Sequence, residues 1–377
     1  MPARRNLLLV GQTPPPYHGQ AVATKVLFDH DWPGFRVLRL RMAYSAGEAN
    51  VGKFRIGKLM HLASLIFKSW WVLLRNHPCC LYYPPASPNL IPVLRDIIYL
   101  FAVRPFSSGV ILHYHAGGLP AYIANLNPVL RFFARFAYGR AKAGIEISKS
   151  VGESELTFAP VNEFYVANGL DVPRLPSVGE RLRDGNTIRI LYLAGLRATK
   201  GVMDIVHTAE ELKGRGIDFI FDVAGPWQEK DTRRSFEEAM EEAGVADCIV
   251  MHGRVTGEEK WKLYQNASLF FFPSHYESEN FPLVLIEAMA FGLPVVATRW
   301  RGIPEMVMDG ETGALCEVSS PKQFAAALDK IISSEDLLKA MSLAAQDRYA
   351  SNYTRESFLT NMHRVFETVI GEKGGVQ

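Results

Sequence analysis

Hydrophobic positions along the chain fall into short unbroken runs separated by longer stretches with helical spacing. In the first half the runs are Asn6–Gly11, Arg36–Leu40, Cys79–Tyr83, Gly109–His113 and Ala143–Ile147. Helix-length segments lie between them, among them Phe54–Arg75, Leu90–Ala102 and Pro128–Tyr138. The alternation restarts at Ile188–Ala194 and continues through Phe219–Ala224, Cys248–Met251, Leu269–Phe272 and Val295–Ala297. Two helical stretches follow near the end, Glu335–Ala350 and Arg355–Ile370. Runs of Val, Ile, Leu and Phe without polar alternation predict strands buried on both faces, hence parallel sheets. Regular strand–helix alternation predicts doubly wound α/β domains.

One stretch breaks the rhythm. Asp171–Asn186 holds Pro173, Pro176, Gly179 and Gly185 among scattered charges, which predicts an interdomain linker. The expected organisation is a Rossmann-like domain over 1–170, the linker over 171–186 and a second Rossmann-like domain over 187–350. A C-terminal helix over 351–377 could cross back to the first domain. A chain of 377 residues suits two domains, each long enough to bury a core. Two such domains facing each other form a cleft at the carboxyl ends of their strands, where ligands bind in these folds.

Composition narrows the setting. The four cysteines, Cys79, Cys80, Cys248 and Cys316, form no Cys-x-x-Cys pair and have no His cluster beside them. That disfavours a disulfide framework or a zinc site and fits a reducing, cytoplasmic compartment. Leu7–Val10 is too short for a signal-peptide core, and Lys68 interrupts the greasiest stretch, Leu62–Leu74. The net charge of +2 hides an asymmetry. Residues 1–170 carry 18 Lys/Arg against 8 Asp/Glu, a balance of +10, and the remainder balances at −8. A basic half points to an anionic partner: a membrane surface, a lipid phosphate or nucleic acid. No aromatic-basic nucleic-acid motif is present, which leaves nucleic acid last.

The richest chemistry lies between Pro273 and Pro294. The strand Leu269–Phe272 runs into a polar loop, and Pro282 suits the first position of a helix that is apolar on nearly every side. Glu287 is the single charge on that helix. A buried carboxylate needs a hydrogen-bonding partner, and a ribose diol can supply two hydroxyls to one carboxylate. A structural Arg is the plainer partner. Glu279, in the loop before the helix, could accept from sugar hydroxyls or stand in solvent. The N–H groups of Asn280, Phe281, Pro282's successor Leu283 and the following turn head a helix and favour anionic oxygens. Upstream, Leu193–Gly201 follows another strand, and Lys200 within it could neutralise a diphosphate or remain a solvated lysine.

The stretch from Pro273 to Pro294 resembles the Glu-x7-Glu signature of the retaining, GT-B-fold glycosyltransferases of the large family 4. By that resemblance Glu279 contacts a donor sugar and Glu287 the nucleotide ribose, with Asn280, Phe281, Pro282 and Leu283 around the donor. Lys200 matches the family's phosphate-binding lysine. The family usually carries an Arg five residues earlier, and here that position is Gly195; Arg197, two residues on, is the available substitute. Val223–Pro226, Gly302–Glu305 and Asp309–Gly313 resemble further family blocks, so the likeness covers nearly all of Ile188–Glu317.

In the first half, Gly11–Ala21 is a proline-stiffened loop between a strand and a helix, with Gly19 allowing close backbone approach. It resembles the family's N-terminal glycine loop near donor phosphates and acceptor, which places Gly19 with the donor and Tyr17 and His18 on the acceptor side. His113 and His115 end a strand on one side of it. Family members carry a His here that reaches the donor sugar or acceptor. His115, as the more terminal, is preferred as catalytic, with His113 second on the acceptor side. His-x-His could also hold a metal, but no third ligand stands at a readable spacing. Asp29-His30-Asp31 reads as a solvated loop, and Asn168–Asp171 as a turn at the domain exit. The basic helices Phe54–Arg75 and Arg131–Lys142 interleave Arg and Lys with Trp and Phe, as helices lying on anionic membrane do, although a core face with a solvated basic back fits equally.

The resemblance implies a retaining glycosyltransferase that moves a sugar from a nucleoside-diphosphate sugar to a hydroxyl of a glycan or lipid-linked glycan, as in bacterial surface polysaccharide synthesis. Its catalytic residues would be His115, Glu279 and Lys200. No cofactor and no essential metal are expected, and the expected location is the cytoplasm, with peripheral contact on the inner face of the membrane left open. Two alternatives stay open: a relative that binds nucleotide-sugar without turnover, motivated by Gly195, and a GT-B sugar-nucleotide epimerase.

Overall fold

A computed structural model describes residues 5–15, 17–43, 56–151, 158–173 and 187–371. Most of the linker 171–186, Pro16 of the glycine loop and the start of the Phe54–Arg75 helix lie outside the described residues. The chain divides into two compact units. One comprises Met1–Leu170 with Arg355–Gln377, the other Asp171–Thr354.

The first unit is built on a six-stranded, all-parallel sheet. Its strands are β1 (Arg5–Gly11), β2 (Phe35–Arg41), β3 (Cys79–Tyr83), β4 (Val110–Tyr114), β5 (Ala143–Glu146) and β6 (Glu163–Tyr165), in spatial order β2-β1-β3-β4-β5-β6. Successive residues of the inner strands serve opposite faces, as a period of two requires. Leu8, Val10, Leu81, Tyr83 and Leu112 face a layer formed by α2 (Ile56–Arg75), α3 (Leu90–Val103), α4 (Leu119–Ala124) and α5 (Pro128–Tyr138). Leu7, Leu9, Tyr82, Ile111 and Ile145 face α1 (Gly19–Asp29) and the C-terminal helix Arg355–Gly371. That helix carries Phe358, Met362, Phe366 and Val369, all fully buried, at spacings of four, four and three. Such spacing makes one apolar stripe, and the stripe completes the core of the unit in which the chain begins.

The second unit repeats the plan. Strands β7 (Ile188–Leu193), β8 (Phe219–Ala224), β9 (Ile249–Gly253), β10 (Leu269–Phe272), β11 (Val295–Thr298) and β12 (Gly313–Cys316) lie in the order β12-β11-β10-β7-β8-β9, again all parallel. Its helices are α6 (Val202–Gly214), α7 (Lys230–Glu242), α8 (Gly257–Asn266), α9 (Leu283–Ala290), α10 (Ile303–Met306), α11 (Pro321–Ile332) and α12 (Glu335–Asn352); the C-terminal helix is then α13. The strand order reverses between β7 and β10, and ligands of doubly wound sheets bind outside the carboxyl ends of the strands at such a reversal.

Several expectations shift in detail. The run Arg36–Leu40 is an edge strand, with Arg36, Arg39 and Arg41 exposed, and not one buried on both faces. Pro282 is the residue before α9 and not its first member; its extended ψ of 116° sets it outside the helix. Strands β6 and β12 were not anticipated. Each has three or four residues, too few for a pattern, and Glu163 and Tyr165 of β6 are exposed. All four cysteines are free. No helix among the described residues is long and apolar enough to cross a membrane.

Candidate functional site

In the second unit the loops after β7 and β10 meet at the strand-order reversal. The His275 N–H donates to the Thr199 carbonyl at 3.0 Å, tying one loop to the other. Gly201 makes the approach feasible. Its φ is +71°, and a Cβ there would stand 2.2 Å from the Pro273 carbonyl oxygen. A side chain would therefore force the loops apart.

The crossing brings Lys200 and Glu279 together. Lys200 Nζ donates to Glu279 Oε2, and Ser274 Oγ donates to the same oxygen at 2.8 Å. Glu279 and Asn280 are 7% and 3% exposed, so this polar cluster sits almost wholly out of water. Lys200 also lies 4.9 Å from the centre of the Tyr276 ring, with the Arg197 guanidinium 5.0 Å from it. Arg197 pairs loosely with Glu229 at 3.7 Å. Gly195 is packed under Gln228, whose amide nitrogen would lie 2.2 Å from any Cβ added there. An Arg at 195 would thus displace Gln228, while Arg197 already stands beside Lys200.

Glu287 is held from the neighbouring helix. Lys260 Nζ donates to its Oε1 at 2.7 Å and Tyr264 Oη to its Oε2 at 2.9 Å. The plainer reading, a structural Arg partner, is replaced by a lysine and a tyrosine, both from α8. Their one-turn spacing matches a helix face, but nothing in the sequence pattern links them to Glu287. Ser274, Lys260, Tyr264 and Tyr276 are the groups that sequence reasoning missed.

Several buried polar atoms here have no hydrogen-bond partner among the described residues. They are both amide atoms of Asn280, Thr199 Oγ1, Arg197 Nε and His275 Nδ1. Buried polar groups are normally satisfied, so a cluster of orphans at the strand-order reversal points to a polar ligand that completes it. Phe281 is buried and packs edge-on against Tyr353 at 5.7 Å, and the N–H of Leu283 opens α9 beside it.

The first unit has its own cluster. His113 and His115 extend from β4 with rings 4.1 Å apart. His113 is fully buried, and its Nδ1 bonds the Tyr82 hydroxyl at 2.8 Å. His115 is less covered, and neither of its ring nitrogens has a partner among the described residues. Burial, helped by neighbouring His18, drops the His115 pKa to about 3, so the ring is neutral at ordinary pH. His18 Nδ1 accepts from the Ala21 N–H at 3.3 Å and caps α1, which Gly19 opens. Tyr17 is 68% exposed. Asp29 pairs with Lys25 at 2.6 Å and Asp31 is exposed. Among the described residues no group of three or more His, Cys, Asp or Glu could hold a metal ion.

Comparison with known proteins gives these clusters a context. Residues 178–348 match the family model described as glycosyl transferases group 1. The amylovoran biosynthesis glycosyltransferase AmsK of Erwinia amylovora is 27% identical over 193 residues, covering 50% of this chain and 47% of that protein. The D-inositol 3-phosphate glycosyltransferase of Corynebacterium diphtheriae is 30% identical over 178 residues, 46% of this chain and 41% of that one. The chain thus spans about half the length, or less, of these curated relatives. Among solved structures, HepE of Anabaena in complex with UDP-glucose superposes with a TM-score of 0.72 at 16% identity, covering 97% of this chain and 100% of the other. Sucrose-phosphate synthase of Thermosynechococcus elongatus gives a TM-score of 0.72 over 97% of this chain and 100% of its own, also at 16% identity. Those likenesses extend over both units and establish the two-domain Rossmann-like fold, GT-B. The matching segment, less than half of the chain, is built around the strand-order reversal that carries Lys200, Glu279 and Glu287, and it is similar to the group 1 glycosyl transferases.

Proposed function

We propose that the protein is a retaining glycosyltransferase of family 4 that uses a nucleoside-diphosphate sugar and glycosylates a hydroxyl of a glycan or lipid-linked glycan. The observation that carries this reading is the Lys200–Glu279 pair at the strand-order reversal, surrounded by orphaned polar atoms and backed by Glu287. A diphosphate bound there would draw Lys200 away from Glu279. The freed carboxylate could then accept from sugar hydroxyls while Lys200 and the N–H groups opening α9 meet the phosphate charge. Glu287 would turn its oxygens from Lys260 and Tyr264 toward the ribose diol.

During transfer the bond from the anomeric carbon to the diphosphate breaks and its electrons stay on the diphosphate. Lys200 stabilises that developing charge. The acceptor oxygen bonds the same carbon and gives up its proton to an oxygen of the departing diphosphate. His115, neutral, is suited to accept or donate a hydrogen bond at the sugar or acceptor and not to act as a cation. We assign Tyr17 and His18 to the acceptor side, no carboxylate nucleophile and no essential metal. HepE, by its title, holds UDP-glucose, which makes a uridine nucleotide the first donor to test here. We place the protein in bacterial surface polysaccharide synthesis; AmsK, to which half of the chain is similar, is by name an amylovoran biosynthesis glycosyltransferase.

The test is thermal shift of wild type and Glu287→Gln with UDP, GDP, ADP and their sugars. Stabilisation of wild type by one base at about 100 times its Kd should approach about 2.7 kcal/mol and fall in the variant. If no nucleotide shifts the wild type, the donor assignment fails. Binding without sugar transfer to any acceptor would favour the inactive relative.

A further inference from the structure

The outer face of the first unit's α2–α3–α5 layer combines two features that rarely share a surface. Across residues 56–142 stand nine Lys/Arg and a single acid, Asp96. Asp96 is fully buried and accepts from Arg95, Tyr83 and the Ala86 N–H. This layer therefore shows solvent no carboxylate at all. It does show large apolar side chains: Phe67 at 66% exposure, Trp71 at 60%, Phe132 at 67% and Phe136 at 51%. Two ring clusters lie on these helices, one with Phe67 to Trp70 at 5.3 Å and Trp70 to Phe106 at 5.7 Å, the other with Phe101 to Phe136 at 5.2 Å. Isolated exposed apolar residues need no explanation, but exposed aromatic clusters on neighbouring helices do.

Beside the clusters lies a cavity of about 250 Å³ walled by Arg104, Arg140 and Lys142, with Ser107, Ser108 and Gly109. Arg104 spends its guanidinium on the carbonyls of Phe136, Gly139 and Arg140, which fastens the α3 end to the α5 end and fixes the cavity wall. Arg140 and Lys142 form no ion pair among the described residues. A Cβ at Gly109 would lie 2.8 Å from the Lys142 side chain, so the glycine leaves that side chain room against the cavity wall. The cavity opens at the amino ends of β4 and β5, opposite the strand ends where His113 and His115 lie.

From this combination we propose that the α2–α3–α5 face docks on an anionic phospholipid bilayer, with the aromatic clusters in the interface and a lipid phosphate in the Arg104–Arg140–Lys142 cavity. Charge complementarity selects the partner: a cationic surface with no exposed acid, carrying Trp and Phe that a bilayer interface accepts and that a polar anion such as nucleic acid does not require. The proposal rests on the lipid-linked acceptor of the function above but not on sugar transfer, so vesicle binding is read without donor or acceptor.

The experiment is co-sedimentation of the full chain with phosphatidylcholine vesicles with and without phosphatidylglycerol. Binding should appear only with phosphatidylglycerol and weaken as salt rises. Arg140→Gln/Lys142→Gln should lower the partition coefficient roughly tenfold or more, and Phe132→Ser/Phe136→Ser should do the same. All four positions are exposed or half-buried at their tips, and an unchanged melting midpoint confirms that the variants fold. As a second readout, tryptophan emission should shift to the blue on phosphatidylglycerol vesicles, and Trp71→Phe should remove part of that shift. Equal binding to both vesicle types, no binding to either, or retention by the Phe double variant would overturn the proposal. So would Arg140→Gln/Lys142→Gln losing RNA binding while keeping vesicle binding. Nucleotide binding by a chain that ignores vesicles would leave the donor site standing and remove this surface alone.

Discussion

Gly201 shows how much of the site depends on one missing methyl. Its positive φ and the 2.2 Å that would separate a Cβ from the Pro273 oxygen act together. Gly201→Ala should therefore cost at least about 2 kcal/mol in urea unfolding and weaken nucleotide binding more than Glu287→Gln does, because both loops move. Asp204, one turn into α6, carries a different signature. Burial raises its pKa to about 6, against opposing pulls from His275 and His207. The folded state then holds a proton that the unfolded state releases, so stability falls as pH rises from about 4 to about 6. Asp204→Asn should flatten that slope and raise the melting midpoint at pH 8, with little change at pH 4. Sequence reasoning could single out Glu287 because a charge in an apolar helix stands out and Lys200 because it lies in a glycine-containing loop between strand and helix, whereas Glu279, in a polar loop, was marked only by the Glu-x7-Glu resemblance. It could not find Lys260 or Tyr264, which lie on an ordinary amphipathic helix and acquire meaning only when α8 packs on α9.

Elements follow the same division. Strand β10 was legible end to end because burial on both faces leaves it wholly apolar, and β8 was legible despite Asp222, whose buried carboxylate is paired with Arg189. Edge strands were not: β2 alternates because only one neighbour and part of one face cover it, and β6 and β12 are too short to show a period. The destination of α13 was also beyond the periodicity. An apolar stripe states that a helix is buried, not which sheet buries it. Phe366 sits fully buried against Trp32, Phe35 and Tyr82. Phe366→Ala should cost about 3–5 kcal/mol. Monitored by hydrogen exchange, that loss should appear in β1 and β3 peptides, not in β7 or β10.

For the whole molecule, two doubly wound units with opposite charge balance divide the work by chemistry. The basic unit holds the neutral His115 and the cationic aromatic face; the acidic one holds the Lys200–Glu279 and Lys260–Glu287 ion pairs. Hydrogen exchange with and without a uridine nucleotide should show protection concentrated in peptides covering 194–203 and 273–287. Protection confined to the first unit instead would place the donor elsewhere.

The C-terminal helix has one more consequence, in the order of manufacture. A ribosome delivers β1 well before α13, yet they share a core. The second unit, drawn from one continuous stretch, has all of its core strands before the first unit has its covering helix. Synthesis and completion therefore run in opposite directions. Until α13 emerges, the greasy sheet face formed by Leu7, Leu9, Tyr82 and Ile111 has only α1 to cover it, and over that interval the nascent chain should depend on chaperones.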